Sequence, residues 1–211
     1  MTTQPFGEVR GQAVVLLQPN IDTDVIIRIE RLMEVRVNPA ARGQLSRWAF
    51  ESIRYTSDGA LRTDCPLNDP ARQGAPILIA GPNFGCGSSR EGAVWALASL
   101  GIRCVIAESF GDIFHANCFQ NGTLPVVLPG REVATLAERA QAGAALHVDL
   151  EGQIVTVHGL PTIRFTIDPS RRTGLLLGLD EVGQSLLHAE AIAQWQSQDQ
   201  AQRPWAWAAR A

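Results

Sequence analysis

The stretch Gly81-Pro82-Asn83-Phe84-Gly85-Cys86-Gly87-Ser88-Ser89-Arg90-Glu91 decides how the rest of the chain is interpreted. A short apolar run at residues 76–80 precedes it, and apolar residues recur at helical spacing after it until Gly101. This pattern predicts a buried strand, then a glycine-rich turn, and then a helix that opens on Ser88-Ser89-Arg90.

The chemistry of this turn favours a bound anion. The first turn of a helix has unpaired N–H groups and a partial positive charge. Glycine lets the backbone approach a ligand closely, and Gly85, Cys86 and Gly87 supply that backbone here. The two serine hydroxyls that follow can cap the helix or react, and Arg90 can hold a carboxylate through two hydrogen bonds. The sequence therefore predicts a site for a small acid.

Composition and charge exclude several classes of protein. The chain has 211 residues, of which 45% are hydrophobic and 18% charged, which is typical of a soluble globular protein. Its net charge of −3 argues against nucleic-acid binding, which relies on a basic surface. No apolar run reaches the roughly 20 residues of a membrane span, and the polar start lacks the pattern of a signal peptide. We therefore expect a cytoplasmic protein without nucleic-acid or membrane partners.

The chain contains no lysine, so all 18 basic residues are arginines. A phosphate-binding P-loop and Schiff-base chemistry both need a lysine, and the glycine turn also lacks the GxGxxG spacing of nucleotide-binding proteins. The four cysteines, Cys65, Cys86, Cys104 and Cys118, form no C-x-x-C pair, and the four histidines show no metal-ligand spacing. We expect reduced thiols and no metal or iron–sulfur site held by this chain alone.

The region before the turn begins with an apolar run at residues 13–17, which predicts a strand. Asp22-Thr23-Asp24 then interrupts the next apolar run with acidic and hydroxyl side chains. These three residues either cap the backbone of a turn or belong to a site.

Residues 28–75 are expected to form a long connection with one short helix near residues 44–52. Connections of this length in a compact domain are usually functional or disordered. Arg28, Arg31 and Arg36 in its first part form either a solvated basic face or an anion-binding loop.

The rest of the chain predicts an α/β fold, a mixed sheet with flanking helices. Strands and helices alternate from residue 76 to residue 128, which favours parallel strands joined by crossover helices. Beyond them we expect a helix at 131–142, antiparallel strands at 146–150, 154–158 and 163–167, and helices near 169–177 and 180–195. The expected single domain spans residues 1–195, and a tail follows at 196–211. Trp205 and Trp207 in this tail either mark a docking segment or pack on the chain's own domain.

The central stretch resembles a known family. Residues 83–91 are similar to the NFGCGSSRE motif of the small subunit of 3-isopropylmalate dehydratase, which corresponds to the fourth, swivelling domain of aconitase. Further matches to that family's motifs lie at residues 22–27, 109–114, 117–125, 164–167 and 178–180. The resemblance therefore covers nearly the whole chain, about residues 8–195.

The resemblance implies a three-layered β/β/α swivelling domain that acts as a subunit of a hydro-lyase. The family's enzyme isomerises 2-isopropylmalate to 3-isopropylmalate by dehydration and rehydration in leucine biosynthesis. A [4Fe-4S] cluster on a separate large subunit binds the departing hydroxyl. This chain is therefore expected to bind a small dicarboxylate substrate, to carry no cofactor of its own, and to be active only with the large subunit.

The matching positions also imply roles for single residues. Ser88 is the implied base: its alkoxide removes a proton from the carbon next to a carboxylate, and backbone N–H groups around residues 87–89 stabilise it. Arg90 binds a substrate carboxylate, and Asp24, with Thr23 beside it, borders the site and orients an arginine. In all, the implied substrate-binding residues are Arg90, Ser89, Asp24, Thr23, Arg36, Leu32 and Met33.

In this family the loop after the first acidic motif lies over the site and selects the substrate side chain. Here that loop is residues 28–37, with Leu32 and Met33 as apolar contacts and Arg36 as a carboxylate partner. Apolar contacts of this kind favour an isopropyl group, whereas additional arginine contacts would favour a tricarboxylate.

Two positions depart from the family's motifs: Gly92 replaces a histidine, and Arg28 replaces a proline. Neither change touches Ser88 or Arg90, so hydro-lyase chemistry is retained while the identity of the diacid stays open. The alternative substrates are citramalate, homocitrate or homoaconitate, and other substituted malates. An alternative of a different class is a binding or regulatory module that kept the fold without catalysis.

Overall fold

Two four-stranded sheets organise residues 4–207, the part of the chain that the computed structural model describes. The strands are β1 (Glu8–Gly11), β2 (Ala13–Leu16), β3 (Ile77–Ala80), β4 (Cys104–Ala107), β5 (Leu124–Val127), β6 (Leu146–Asp149), β7 (Ile154–Val157) and β8 (Ile163–Arg164). β2, β3, β4 and β5 lie side by side in that order as a parallel sheet, and β1, β6, β7 and β8 form an antiparallel sheet. The α/β fold expected from the sequence is confirmed, but the parallel and antiparallel strands form two separate sheets and not the single mixed sheet that was expected.

Helices connect and cover these sheets. They are α1 (Thr23–Ile26), α2 (Ile29–Val37), α3 (Leu45–Trp48), α4 (Glu51–Arg54), α5 (Glu91–Ser99), α6 (Asp112–Gln120), α7 (Gly130–Gln141), α8 (Pro169–Leu177), α9 (Glu181–Leu186) and α10 (Ala189–Gln202). Short 3-10 helices lie at Pro39–Gln44, Pro66–Asn68, Pro70–Arg72 and Pro204–Ala206. Helices α5 and α6 are the crossovers that join β3, β4 and β5, as the alternating pattern predicts.

The parallel sheet is buried on both faces, which explains its continuous apolar runs. Val14 and Leu78 face a core cluster that includes residues of α1, α3, α5 and α6. Val15 and Ile77, which point to the opposite face, belong to a second cluster shared with α7 and the antiparallel sheet. The molecule thus has an antiparallel sheet, a parallel sheet and a helical layer, in agreement with the β/β/α arrangement expected.

The register of the parallel sheet brings its carboxyl ends to one edge. Leu16 pairs with Ala80, and Ala107 pairs with Val127, so these four strands end at the same level. In sheets of this kind ligands bind at the carboxyl ends of the strands. The glycine-rich turn follows β3 at this edge.

Residues 28–75 are not the long connection with a single short helix that the sequence predicts. Residues 29–37 form α2, a 3-10 helix follows, and α3 and α4 lie where one helix was expected. No residue of α2 is buried. A helix that buries no complete face needs no strong apolar periodicity in its sequence, and for this reason the sequence pattern did not reveal it. Leu32 and Val35, which are partly buried, pack against the core and hold α2 in place.

The helix after the turn begins later than predicted. Arg90 has extended backbone, with φ −127° and ψ 101°, and stands as the N-cap of α5, which begins at Glu91. Ser88 and Ser89 therefore belong to the turn and not to the first turn of the helix.

The C-terminal helix crosses the expected end of the domain at residue 195. Helix α10 continues to Gln202, and none of its residues is buried, so the sequence pattern marks no clear limit. Trp207 Nε1 donates a hydrogen bond to Asp199 Oδ2 at 3.0 Å, whereas Trp205 is 80% exposed. The tail thus folds back on its own helix through one of its two tryptophans.

Candidate active site

The glycine-rich turn needs a residue without a side chain at its centre. Gly85 has φ +72°, a conformation that side chains rarely adopt, and a Cβ there would lie 2.2 Å from Cγ of Phe114. Phe114 cannot easily move, because it is buried and makes an edge contact with Phe84 and a stacked contact with Phe110. The aromatic cluster therefore fixes the turn from below.

Backbone hydrogen bonds tie the turn to the segments that follow β2 and β4. The donor–acceptor pairs are Gly85 N–H to Ile21 C=O (2.7 Å), Thr23 N–H to Cys86 C=O (2.9 Å), Phe84 N–H to Ser109 C=O (3.1 Å) and Gly111 N–H to Phe84 C=O (2.9 Å). Because these bonds involve main-chain atoms, the conformation of the turn is set by the fold. The three chain segments at this edge of the sheet act as one unit.

The two aspartates of the acidic segment before the turn make different contacts. Asp22 is the N-cap of α1, and its Oδ1 accepts a hydrogen bond from Val25 N–H at 2.8 Å. Asp24 instead extends toward the turn, where its Oδ1 forms an ion pair with Nη1 of Arg90. The capping interpretation therefore holds for Asp22, whereas Asp24 stays a candidate for the site.

Arg90 lies beneath the rim of the turn. Its side chain is only 13% exposed, whereas that of Asp24 is 53% exposed. Arg90 Nη1 is buried against Asp24, and Nη2 donates a long hydrogen bond of 3.5 Å to Ser88 Oγ. The guanidinium is thus held between the acidic segment and the serine that was expected to act as base.

The serine end of the turn is open to solvent. Ser88 and Ser89 are exposed, and so is Gly87. The N–H groups of Gly87, Ser88, Ser89 and Arg90 form no hydrogen bond with any residue between 4 and 207. Unpaired N–H groups of the kind predicted at a helix start therefore lie in the turn itself.

Thr23 differs from the role expected for it. It is 1% exposed, and its Oγ1 donates a hydrogen bond of 3.0 Å to the backbone C=O of Ser88. A side chain this deeply buried does not border the site as a substrate contact. It lies behind the turn and supports it.

Helix α2 packs against the start of α5 through Leu32. A Cβ at Gly92 would lie 2.4 Å from Cδ2 of Leu32, so the side chain of Leu32 occupies the space that a larger residue at position 92 would need. Met33 is 50% exposed on the same helix. Arg36 is exposed and forms no hydrogen bond or ion pair within the described part of the chain.

The sequence interpretation missed Glu51 of α4. Arg31 Nη2 lies 3.0 Å from Glu51 Oε2, and Arg28 Nε lies 3.7 Å from Glu51 Oε1. The hydrogen bond with Glu51 raises the pKa of Arg31 above its usual value. Arg31 also lies over the ring of Trp48, with Cζ 5.1 Å from the ring centroid. Two of the three arginines of the supposed basic face are therefore paired.

Asn121 is a second residue whose position only the fold reveals. Its Oδ1 accepts a hydrogen bond from Trp95 Nε1 at 2.9 Å, and its Nδ2 donates to Glu91 Oε1 at 3.0 Å. Nδ2 also donates to the C=O of Asn117 at 2.9 Å. This amide joins the first turns of α5 to the end of α6, which steadies the helix that begins directly after Arg90.

Among residues 4–207 no group of three or more histidine, cysteine, aspartate or glutamate side chains is arranged to hold a metal ion. The four cysteines are free thiols. Burial raises the pKa of both the Cys104 and the Cys118 thiol above the usual value, so both remain protonated. In the same part of the chain, no helix is long and apolar enough to cross a membrane.

Comparisons with known proteins identify the family. The family model of the aconitase C-terminal domain matches residues 3–131. The 3-isopropylmalate dehydratase small subunit of Allorhizobium ampelinum is 44% identical over 205 residues, which cover 96% of this chain and 100% of the relative. The corresponding subunit of Sinorhizobium fredii is 45% identical over 203 residues, 95% of this chain and 98% of the relative. The chain belongs to the 3-isopropylmalate dehydratase small-subunit family.

A solved structure agrees with this family membership. The crystal structure of 3-isopropylmalate dehydratase from Methanocaldococcus jannaschii superposes with a TM-score of 0.63 at 26% identity, covering 90% of this chain and 99% of that chain. The family expected from the motifs is thus confirmed. In this member of the small-subunit family the fold brings Ser88, Arg90 and Asp24 together, while Arg36 forms no hydrogen bond or ion pair with them.

Proposed function

We propose that this chain is the small subunit of a 3-isopropylmalate dehydratase, which isomerises 2-isopropylmalate to 3-isopropylmalate in leucine biosynthesis. The observation that carries the proposal is the juxtaposition of Ser88, a largely buried Arg90 oriented by Asp24, and unpaired backbone N–H groups. A small dicarboxylate needs such a set: one cation for a carboxylate, one base for a carbon-bound proton, and donors for negative charge.

Ser88 is the proposed catalytic base. Its alkoxide takes the proton from the carbon next to a carboxylate, and the electron pair of that C–H bond forms the double bond as the hydroxyl departs. A serine alone is a weak base, so its negative charge must be stabilised by fixed donors. The unpaired N–H groups of residues 87–90 lie in the same turn and serve as those donors.

Arg90 is the proposed carboxylate ligand. Its guanidinium is largely buried, where charge–charge attraction is stronger than in bulk water. Asp24 holds one edge of the guanidinium and thereby orients the remaining N–H groups toward Ser88. A carboxylate bound there would place its neighbouring carbon beside the base.

The large subunit would form the opposite wall of the site. Ser88 and Ser89 are exposed on this chain, so water has to be excluded by another surface during the reaction. We assign to that subunit the [4Fe-4S] cluster, which acts as a Lewis acid toward the departing hydroxyl. The protonated, buried state of Cys104 and Cys118 supports this assignment, because cluster ligands are thiolates.

We place the assembled enzyme in the cytoplasm. The support for this placement is the set of four free cysteines, Cys65, Cys86, Cys104 and Cys118, which is usual for proteins of a reducing compartment.

A second candidate substrate class follows from Arg36. This residue is exposed and unpaired within the described chain, so it is free to bind an additional carboxylate. Leu32 is engaged with Gly92, which leaves Met33 as the apolar side chain free to contact a substrate. A homocitrate-type tricarboxylate is therefore the alternative to isopropylmalate, with citramalate as a smaller competitor.

A hydratase assay tests the proposal. The chain is mixed anaerobically with its cognate cluster-loaded large subunit, and isopropylmalate, citramalate and homocitrate are offered in parallel. We expect preference for isopropylmalate and loss of turnover in Ser88→Ala, while Ser197→Ala on the exposed surface of α10 stays active. Unchanged activity in Ser88→Ala would contradict the proposed base, and exclusive use of homocitrate would move the substrate to the second candidate.

A further inference from the structure

Thr23 holds an unusual place in the interior. Thr23 and Thr123 are the polar residues that are buried within the described chain, at 1% and 2% exposure. The hydroxyl of Thr23 donates to the backbone C=O of Ser88 at 3.0 Å, across a separation of 65 residues. A buried hydroxyl is stable only with a partner, and this partner is the carbonyl of the proposed base.

The fold determines where this hydroxyl lies. Thr23 N–H donates to Cys86 C=O at 2.9 Å, and Thr23 C=O accepts from Ile27 N–H at 2.9 Å. Gly85 N–H donates to Ile21 C=O on the same pair of segments. Because threonine also has restricted χ1 rotamers, the position of its Oγ1 is well defined, and this atom orients the turn.

The peptide between Ser88 and Ser89 transmits this constraint to the site. A trans peptide is planar, so its C=O and its N–H point in opposite directions. The C=O of Ser88 points inward to the buried Thr23, which turns the N–H of Ser89 outward. That N–H forms no hydrogen bond with residues 4–207. It is therefore free to donate to a negative charge on the exposed side of the turn.

We propose that Thr23 is a positioning residue of the reaction, whose buried hydroxyl aims the Ser89 N–H at the negative charge of the Ser88 alkoxide and of the bound substrate, so that this donor stabilises both. Thr23 touches neither the substrate nor the reacting atoms; it acts through the 88–89 peptide. The inference rests on the proposed function, because it assumes that Ser88 is the base. It deepens that function by naming the Thr23 hydroxyl as the group that orients the Ser89 N–H donor.

Three variants of the complete complex test this role. Thr23→Val removes the hydroxyl at nearly constant shape, and Thr23→Ser keeps it. Because a misdirected donor weakens stabilisation without removing Arg90, Thr23→Val should lower kcat about 10- to 100-fold and change KM less than about threefold. Thr23→Ser should stay within about threefold of the parent. Thr123→Val, a change at the other buried threonine, should leave kcat unchanged.

A kinetic isotope effect separates positioning from mere support of the fold. Substrate deuterated at the carbon that loses its proton should show a larger isotope effect on kcat with Thr23→Val than with the parent, because proton abstraction becomes slower. Thr23→Ser should restore the parental value. If Thr23→Val does not fold, Thr23→Cys serves instead, because a thiol keeps a weak donor. Its kcat should be lower than that of the parent by less than about tenfold.

The outcomes distinguish this inference from the function on which it rests. A parental complex that turns over no diacid would overturn the proposed function together with the role of Thr23. An active parent whose kcat and isotope effect are unchanged in Thr23→Val would overturn the role of Thr23 alone. Equal losses in Thr23→Val and Thr23→Ser would likewise overturn it, since the hydroxyl would then not be the group that matters.

Discussion

The turn of residues 83–90 and helix α2 border the same candidate site, but the fold holds them in different ways. The turn is fixed by main-chain hydrogen bonds to two neighbouring segments and by buried aromatic rings beneath it. Helix α2 has no buried residue and is held by side chains, chiefly the contact of Leu32 with Gly92 and the ion pairs of Arg28 and Arg31 with Glu51.

Under the proposed function, this difference separates the chemistry, which we assign to the turn, from substrate selection, which we assign to α2. Reacting groups must be held within fractions of an ångström, which main-chain contacts in a rigid turn achieve. Residues that merely select the substrate can sit on an element whose side chains change without disturbing the turn. Changes in the turn should therefore cost more stability than changes along α2, and the predictions below test that ranking.

The largest effect is expected for Gly85→Ala. Its Cβ would lie 2.2 Å from the ring of Phe114, and its φ is +72°. Overpacking against a locked ring adds to the strain of a left-handed backbone, so the free energy of unfolding should fall by about 3 kcal/mol or more. Urea unfolding measures this loss.

Gly59→Ala is the matched control for that experiment. Gly59 also has a positive φ, +83°, but a Cβ there would meet no atom within 4 Å. Gly59→Ala should lower the free energy of unfolding by only about 1 kcal/mol, which is the cost of a left-handed backbone at a residue with a side chain. Equal losses in the two variants would contradict the argument that Phe114 locks the turn.

The sequence predicted the turn more completely than α2 for a physical reason. Glycine-rich turns and apolar strands follow local rules, so the turn after residue 80 could be placed between a strand and a helix. The exact start of α5 could not, because Arg90 is held in extended backbone as the N-cap while its side chain pairs with Asp24, a tertiary contact. The long connection likewise hid α2, whose stability comes from contacts with distant residues.

The candidate site could likewise be predicted from the sequence only in part. Motif resemblance named Ser88, Arg90 and Asp24, which the fold brings together. Burial is a tertiary property, so the sequence could not show that Thr23 lies behind the turn. Nor could it show that Glu51 pairs with the arginines near α2, since no local pattern links α4 to that helix.

The next effect is expected at the contact between α2 and the start of α5. Gly92→His installs the residue that the family's motif usually carries, but its Cβ would lie 2.4 Å from Leu32. We expect a loss of about 1–2 kcal/mol in the free energy of unfolding, because Leu32 has to leave its place. Thermal and urea unfolding of the purified chain measure it.

A double variant sharpens this result. Leu32→Ala makes room for the histidine. The double variant Gly92→His with Leu32→Ala should therefore lose about 1 kcal/mol less free energy of unfolding than the two single variants lose together. Additive losses would show that the two side chains do not compete for the same space. The KM for isopropylmalate in the reconstituted complex should shift in Gly92→His with kcat changed less, since we propose that α2 contacts the substrate and not the base.

A smaller effect is expected for Glu51→Gln, which releases Arg28 and Arg31 from α4. The Glu51 side chain is 17% exposed and shared between two arginines, so its loss should lower the free energy of unfolding by about 1 kcal/mol at low salt. Added salt should shrink the difference, because it screens ion pairs. Glu30→Gln is the control: Glu30 is 65% exposed beside Arg28, and its loss should amount to a few tenths of a kcal/mol.

The smallest effect concerns pH and involves His115 of α6. Burial lowers the pKa of His115 below its usual value, and the charge of Arg171 lowers it further, while Asp112 acts in the opposite direction. Arg171 Nη1 lies 3.2 Å from Nδ1 of this histidine. The unfolded chain therefore takes up a proton near pH 6.5 that the folded chain resists, so stability should fall as pH drops from 7.5 to 5.5.

Replacing His115 by glutamine should remove part of that fall. The difference in Tm between pH 7.5 and pH 5.5 should be smaller in His115→Gln than in the parent, whereas His158→Gln, at an exposed position, should keep the parental difference. An unchanged difference in His115→Gln would contradict the assignment. If it holds, the stability of the chain depends on pH through His115 of α6 and on salt through Glu51 of α4.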